Sequence, residues 1–485
     1  MKFKFSTFIL LFAILAPFDL LLLKFLPLGE KAYGYGRFFV EFAMYLLFFM
    51  LILRNLVHGK LFTRTVIDVP LLLFLIVSVF SIVINRVPIG PAMMGWRDLW
   101  RWVLLFYILA NLNLDDKFHR RIILMFVVIG FIQGLIATTQ HFVGVSDIFK
   151  PRASTVEIGG KITNYKVLAT DNNGFEKGSG VGTITDAVQL ATYLLICLSV
   201  LIPLFLQYVR TGMVKRFANY IIFIAIMLGI FMSYSRVSVL FALLAIFITY
   251  MVAKELRRLF PIAIVASLVI VVSLAFIATV PSNKSSTYYN PRLKETSPID
   301  NFTQLFSSEL AEKSIQNSRG FVVENALPAL IKSLNLIGYG PDVDNSLLKL
   351  VQRDLDNATP FANYRIINDV YWIGMITCYG LIGISIFMYI LYRLFKMTMY
   401  VYKNTESPYM KILSLAFLTI LIISIPYTAV IRTFVFRMFA LYFWLIAGIV
   451  ASEFRKLKEQ TMIEAEEEEI REQYNLTKSE SLISA

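Results

Sequence analysis

Cysteine and histidine are scarce in this chain. Its 485 residues include only two cysteines, Cys197 and Cys378, and three histidines. Both cysteines lie inside apolar runs, where a thiol serves as a small core group. Two buried cysteines and three scattered histidines are too few to form a disulfide framework or a Cys/His metal site. We therefore expect neither a metal ion nor any other cofactor.

Charged residues are also few. They make up 16% of the chain, whereas 57% of the residues are hydrophobic and the mean hydropathy is +0.67. A soluble domain holds about 25% charged residues. Apolar runs of about twenty residues recur along the chain, and such a run spans a bilayer core roughly 30 Å thick as a helix. The runs are continuous and lack the alternation of barrel strands, so the sequence predicts an all-α polytopic membrane protein.

The apolar runs predict about twelve transmembrane helices. They cover residues 5–27, 37–54, 67–85, 98–111, 121–143, 186–207, 217–234, 236–253, 259–280, 368–393, 410–428 and 434–452. The first run lacks a convincing small-residue cleavage site, so we interpret it as a retained helix. The division between the seventh and eighth helices depends on the polar stretch from Ser233 to Ser235, directly before Arg236.

The positive charge follows the predicted topology. The net charge is +13, and the loops between apolar runs are basic in alternation. Because Lys and Arg are enriched in cytoplasmic loops, this set of loops is predicted to be cytoplasmic, together with both termini. The orientation of the chain in the membrane therefore accounts for these basic loops. Membrane lipid is the expected partner, and nucleic acid is not expected as one.

The predicted helices divide the chain into four parts. These are residues 1–280 with nine helices and an outer loop at about 145–185, residues 281–367 as a large outer loop, residues 368–453 with three helices, and residues 454–485 as a charged cytoplasmic tail. Apolar residues recur with helical spacing from Gly320 to Leu336, so the large loop is predicted to contain an amphipathic helix. A loop of this length is commonly functional.

Arginines on the predicted outer side are not explained by the orientation rule. An arginine at a membrane boundary is costly unless an anionic group meets it, and its planar guanidinium suits phosphate. Either these arginines pair with Asp98, Asp186 and Asp369 to hold helices together, or they bind an anionic substrate. The outer residues predicted to contact substrate are Arg97, Arg101, Asp186, Arg236, Arg319, Tyr339, Arg365, Asn368, Tyr371 and Arg432.

Asp369 is the candidate for acid–base chemistry. It stands at the start of the tenth predicted helix, and a carboxylate near apolar surface can accept a proton from a hydroxyl. The same position also suits an aspartate that only stabilises the helix N-terminus. The residues leave both interpretations open, and His141, near the outer end of the fifth predicted helix, is an alternative base.

Four segments together resemble the superfamily of O-antigen ligases and Wzy-type polysaccharide polymerases of bacterial inner membranes. Each segment is short, and the likeness lies in their order and in their placement on one side of the membrane. They are GVGTITDAVQLATYL at 180–194, the Ser-Arg motif SRVSVL at 235–240, the stretch from Ser318-Arg319-Gly320 to Gly338-Tyr339-Gly340, and the stretch from Asn368-Asp369 to Tyr379-Gly380-Leu381-Ile382-Gly383.

The resemblance implies a metal-independent, inverting glycosyltransferase in the bacterial inner membrane. Its donor and acceptor would be undecaprenyl-diphosphate-linked glycans, and residues 281–367 would form a large, partly helical periplasmic loop over a periplasmic active site. Arg236 and Arg319 would stabilise the diphosphate leaving group, and Asp369 would deprotonate the acceptor hydroxyl. A chain-length regulator protein is a further partner that the family implies.

The resemblance covers two activities that share one donor. A polymerase extends the glycan on its carrier, whereas a ligase transfers it to lipid A-core or to protein. Ligases carry a histidine where this chain has Asn368 or Asp369, which favours a polymerase and leaves the ligase as the alternative. A lipid-linked oligosaccharide flippase or other transporter is a different class, but the charges lie at the outer edge and no internal repeat is clear. A non-catalytic scaffold fits the gathered Arg and Asp residues least well.

Overall fold

Helices account for most of the chain that the structure describes. The structure is a computed structural model, and it describes residues 5–26, 35–36, 38–59, 62–143, 145, 149, 154–158, 161–165, 180–208, 213–233, 235–253, 319–353 and 370–483. The helices are α1 (Phe5–Leu15), α2 (Asp19–Phe25), α3 (Phe39–Val57), α4 (Asp68–Ile84), α5 (Ile89–Trp100), α6 (Val103–Ala110), α7 (Asp116–Val143), α8 (Ala187–Tyr208), α9 (Met213–Met232), α10 (Arg236–Ala253), α11 (Arg319–Lys332), α12 (Val343–Arg353), α13 (Tyr371–Asn404), α14 (Pro408–Thr428) and α15 (Arg437–Ile483).

Six helices in the described ranges are long and apolar enough to cross a membrane. They are α3, α7, α8, α13, α14 and α15. Together α1 and α2 pass the same test as a seventh, but they are bent by 79°. The apolar helix α4 and the apolar parts of α9 and α10 are shorter. These lengths and compositions confirm a helical membrane protein, and the number of twelve spans stays a prediction.

Two predicted spans are wrong as single helices. The first, 5–27, is broken between α1 and α2, where Pro17 has no backbone N–H to continue the helix. The fourth, 98–111, is divided because α5 ends at Trp100 and α6 begins at Val103. By contrast, the predicted break before Arg236 is confirmed, since α9 ends at Met232. The predicted ninth span, 259–280, lies outside the described residues.

A short β-hairpin interrupts the predicted all-α fold. Strands β1 (Ser154–Ile158) and β2 (Lys161–Tyr165) pair antiparallel, from Ser154 opposite Tyr165 to Ile158 opposite Lys161. The hairpin falls in the loop predicted at about 145–185. Its sequence signal is a Gly159-Gly160 pair between two runs with β-branched residues, a common hairpin pattern that is weak in so polar a stretch.

Helix α13 is interrupted at Gly380. This residue has φ 70° and ψ −175°, a conformation outside the helical region and essentially confined to glycine. The neighbouring backbone groups bond instead to the segment that follows α11. The bonds are Leu381 N–H to Asn335 O (2.9 Å), Ile382 N–H to Leu336 O (3.0 Å), Tyr339 N–H to Thr377 O (2.8 Å) and Gly340 N–H to Cys378 O (3.0 Å).

The segment 335–341 is therefore built into the bundle, although the sequence assigns it to the large outer loop. The carbonyl oxygen of Gly338 accepts hydrogen bonds from the Asn85 amide (2.8 Å) and the Ser81 hydroxyl (3.2 Å) at the end of α4. The predicted amphipathic helix 320–336 is present as α11, which continues through Pro328 and ends at Lys332. Its buried Ala326 and Leu330 join a small cluster with α12 and α13.

A side chain at position 380 should disrupt this docking. A Cβ there would lie 2.2 Å from the Leu336 carbonyl oxygen, in addition to the glycine-only backbone conformation, which costs about 1–3 kcal/mol for other residues. We expect Gly380→Ala to lower the thermal unfolding temperature of the purified protein in nanodiscs. Gly59→Ala is the matched control, because Gly59 also has a positive φ (63°) but nothing lies within 4 Å of its Cβ position. Equal decreases in the two variants would contradict the docking argument.

Candidate functional site

Polar segments from distant parts of the chain meet at one end of the bundle, which we call the polar end. Four hydrogen bonds define it. They join Thr183 Oγ1 to Pro17 O (2.7 Å), Gly180 N–H to Met232 O (2.8 Å), Arg101 Nη2 to Val435 O (3.4 Å) and Ser238 Oγ to Tyr427 Oη (2.6 Å). The polar end thus comprises residues 16–19, 97–101, 180–186, 233, 235–238 and 427–437.

Arg97 and Arg101 are paired with carboxylates at the polar end. Both guanidinium groups contact Glu41 of α3, with Arg101 Nη1 at 2.9 Å from Glu41 Oε1. They also approach Asp98 Oδ1, at 3.3 Å from Arg97 and 3.5 Å from Arg101. The Glu41 side chain is 6% exposed and that of Asp98 44%. Two arginines and two acids balance in charge, as the pairing alternative expects, and the predicted substrate role of these arginines stays a prediction.

Glu41 is a site residue that the sequence did not indicate. It lies in the first turn of a long apolar helix, where an acidic residue is unremarkable because it complements the helix dipole. Its partners are more than fifty residues further along the chain. A buried acidic residue inside a predicted membrane span nevertheless indicates a functional or structural site, because it requires a partner of opposite charge.

A second ion pair closes the bend between α1 and α2. Arg437, the first residue of α15, donates from Nη1 to Asp19 Oδ2 at 2.6 Å and from Nη2 to Ala16 O at 3.2 Å. Asp19 begins α2, so the pair connects the broken first helix to the last helix of the bundle. The sequence did not indicate Asp19 either, because it lies inside a run that was predicted as one continuous span.

Two glutamines of α7 hold the glycine-rich segment before α8. Gln140 Oε1 accepts hydrogen bonds from the N–H groups of Val181 (2.9 Å) and Gly182 (2.8 Å), and Gln133 Oε1 accepts one from Thr183 N–H (3.0 Å). All these groups are buried, so the glutamines satisfy backbone donors that would otherwise lack partners. Three consecutive backbone N–H groups of the segment are thus bonded to two side chains of α7, which fixes the path of the segment relative to that helix.

Asp186 caps the helix that follows this segment. Its Oδ1 accepts a hydrogen bond from Gln189 N–H at 2.8 Å, and its carbonyl oxygen accepts one from Leu190 N–H at 2.9 Å. This is the usual arrangement of an aspartate at a helix N-cap. The geometry accounts for Asp186 structurally, and its predicted contact with substrate stays a prediction.

Among the described side chains of the polar end, Arg432 is the accessible cation. It is exposed in the turn between α14 and α15, and its guanidinium carbon lies 5.9 Å from the centre of the Phe436 ring. No carboxylate among the described residues forms an ion pair with it, whereas Arg97, Arg101 and Arg437 each have one. Trp372 Nε1, in the first turn of α13, donates a hydrogen bond to Ile425 O near the end of α14 at 2.9 Å, which places the start of α13 beside the same site.

The remaining predicted residues divide into two groups. Tyr371 and Tyr339 are both buried, and Tyr339 lies in the docked segment beside the α13 break. Gly95 of α5 packs against Pro341, since a Cβ at Gly95 would lie 2.0 Å from the Pro341 carbonyl oxygen. This segment therefore reaches α5 two residues before Arg97.

Arg236 and Arg319 begin α10 and α11, and their side chains lie outside the described residues. Arg365, Asn368 and Asp369 lie wholly outside them.

The described residues include no group of three or more His, Cys, Asp or Glu side chains that could hold a metal ion. His141, the alternative base, is partly exposed near the end of α7, with its ring 4.9 Å from that of Phe142.

Scans of protein-family models and of curated proteins return no match to this chain. The family resemblance therefore depends on the four segments and on their arrangement.

Glu41 and Asp98 contact the same two arginines but should differ in their effect on stability. Glu41→Gln would leave buried guanidinium groups without their main counter-charge, a change that typically costs about 3–5 kcal/mol. Asp98→Asn removes a partner whose side chain is 44% exposed, and exposed pairs contribute about 0–1 kcal/mol. We expect chemical or thermal unfolding in nanodiscs to show a large loss of stability only for Glu41→Gln. Similar losses for both would show that Glu41 is not the central counter-ion.

Proposed function

We propose that this protein is a bacterial inner-membrane glycosyltransferase that polymerises undecaprenyl-diphosphate-linked repeat units on the periplasmic face. The main support is the arrangement of the four segments that resemble the ligase and polymerase superfamily. The first meets the approach to the second through the Gly180–Met232 hydrogen bond. The third docks into the helix break of the fourth through four backbone hydrogen bonds between residues 335–340 and 377–382.

The proposed chemistry needs positive charge where the diphosphate leaves. Fixed cations in a site from which water is excluded stabilise a developing anion without reorganisation. Arg236 and Arg319 carry this role by resemblance, and Arg432 is a third, accessible cation at the polar end. Asp369 would remove the proton of the acceptor hydroxyl, and attack from the face opposite the diphosphate would invert the anomeric carbon. No metal ion is assigned a role.

The proposed orientation places the polar end in the periplasm. Helix α15 begins at the polar end with Arg437, and its exposed residues 461–468 emerge from the other end of the bundle. If this charged tail is cytoplasmic, as the basic loops predict, the polar end faces the opposite compartment. The twelve-helix topology and the covering loop 281–367 are part of the same proposal.

The helix break in α13 bears on the alternative function, that of a transporter. Transporters bind substrate at broken helices whose freed backbone groups face a cavity. In this protein the freed groups around Gly380 are bonded to residues 335–340, so they are occupied within the protein. The break therefore favours a structural role, and the transfer of glycan stays the better-supported function.

The surface glycan of a deletion strain tests the proposal directly. We expect loss of long chains, with single repeat units still attached to their acceptor, and restoration by the wild-type gene but not by Arg236→Ala expressed at the same level. Loss of all attached repeats, with long glycan accumulating on the carrier lipid, would instead establish the ligase. A ladder unchanged by the deletion would refute both activities.

Arg432 offers a sharper test within the described residues. Removing an anion-binding guanidinium should reduce transfer, so we expect Arg432→Ala to shorten or abolish the ladder and Arg432→Lys to retain part of it. Arg393→Ala is the matched control, because Arg393 also lies over an aromatic ring four residues away (Tyr389, 5.7 Å) but roughly 33 Å along α13 from Tyr371. Equal ladders from Arg432→Ala and Arg393→Ala, at equal protein level, would remove Arg432 from the site.

A further inference from the structure

Three buried hydroxyl groups form a hydrogen-bonded chain between α10 and α14. Ser235 Oγ lies 2.5 Å from Ser238 Oγ, and Ser238 Oγ lies 2.6 Å from Tyr427 Oη. Ser238 and Tyr427 are fully buried and Ser235 is 8% exposed. The Tyr427 ring also packs on Phe241, with 4.7 Å between ring centres. The chain is therefore shielded from solvent along its length.

An arginine lies close in sequence to each end of this hydroxyl chain. Ser235 directly precedes Arg236, the first residue of α10. Tyr427 lies at the end of α14, and its carbonyl oxygen accepts hydrogen bonds from Val430 (3.1 Å) and Ile431 (2.9 Å), the residues that lead to Arg432. The same tyrosine thus contacts α10 through its hydroxyl and shapes the turn of Arg432 through its backbone.

We propose that the hydroxyl chain Ser235–Ser238–Tyr427 is a positioning device that sets the backbone of Arg236 relative to that of Arg432. Its purpose would be to let both arginines act on one diphosphate group, so this inference rests on the proposed function. Two cations on separate helices address one anion only if the helices keep their relative register, and small misplacements of catalytic groups are costly. None of the three hydroxyl groups needs to touch the substrate.

The same two helices contain a matched hydroxyl pair. Thr249 of α10 and Thr419 of α14 lie with their Oγ1 atoms 2.9 Å apart, and both are fully buried. Ser238 and Thr249 are separated along α10 by about 16 Å, at roughly 1.5 Å per residue. Hydrogen bonds between transmembrane helices contribute only modestly to stability. If the hydroxyl chain merely held the helices together, losing either contact should have the same consequence.

Amide hydrogen exchange on the full protein in nanodiscs tests the positioning directly. Tyr427→Phe deletes one hydroxyl and keeps the ring, and Ser238→Ala interrupts the chain from the other helix. We expect either variant to raise exchange at both residues 235–240 and residues 429–436, whereas Thr419→Val should leave these two segments unchanged. Exchange that stays at the wild-type level, or that rises equally in Thr419→Val, would overturn the proposal.

Transfer activity provides the second readout. We expect Tyr427→Phe to lower the rate of glycan transfer by roughly 10- to 100-fold, the scale associated with small displacements of reacting groups, with the loss shared between the donor KM and kcat. Thr419→Val should transfer at the wild-type rate. Combining Tyr427→Phe with Arg432→Ala should cost little more than Arg432→Ala alone, because positioning has no value once the guanidinium is gone.

Additive losses in that double variant would reduce Tyr427 to a packing residue and overturn the positioning role. The two proposals fail in different ways. A glycan ladder that does not depend on this gene refutes the glycosyltransferase, whereas the exchange experiment still decides whether the hydroxyl chain couples the two segments.

Discussion

Polar groups inside an apolar helical bundle must find their partners within the protein, because lipid provides none. The described part of this chain shows how strongly that constraint shapes the fold. The break of α13 at Gly380 frees backbone groups, and residues 335–340 bond to them. The glycine-rich segment before α8 is non-helical, and Gln133 and Gln140 satisfy its buried N–H groups. In both places the hydrogen-bonding groups of the irregular backbone are satisfied by residues from another part of the chain.

The same constraint distinguishes two kinds of arginine at the polar end. Arg97, Arg101 and Arg437 are largely buried and each has a carboxylate, because an unpaired buried charge is too costly. Arg432 is exposed and can be solvated, so it needs no such partner. Sequence position alone cannot make this distinction, since Arg97, Arg101 and Arg432 are all predicted to lie on the outer side.

Much of the fold could be predicted because apolar runs report helices directly. The runs indicate α3, α4, α7, α8, α13 and α14, and the serines before Arg236 indicate the break between α9 and α10. What the sequence could not show depends on contacts between distant residues. Glu41 is 56 residues from Arg97, and the partners of the α13 break lie about forty residues before it. Gly380 alone predicts no break, because glycine also occurs inside regular membrane helices.

Rigidity at the polar end has a consequence for any anion that binds there. Arg101 fixes the Val435 carbonyl, Arg437 fixes the start of α15, and Tyr427 fixes the turn between them. Arg432 is thus carried by a turn that is held at three points, although its own side chain is exposed. The backbone position from which this guanidinium extends is therefore fixed, and preorganised charge is most effective where charge develops during reaction. The buried pairs and the exposed arginine are therefore parts of one arrangement, in which the paired charges fix the position of the turn that carries the accessible one.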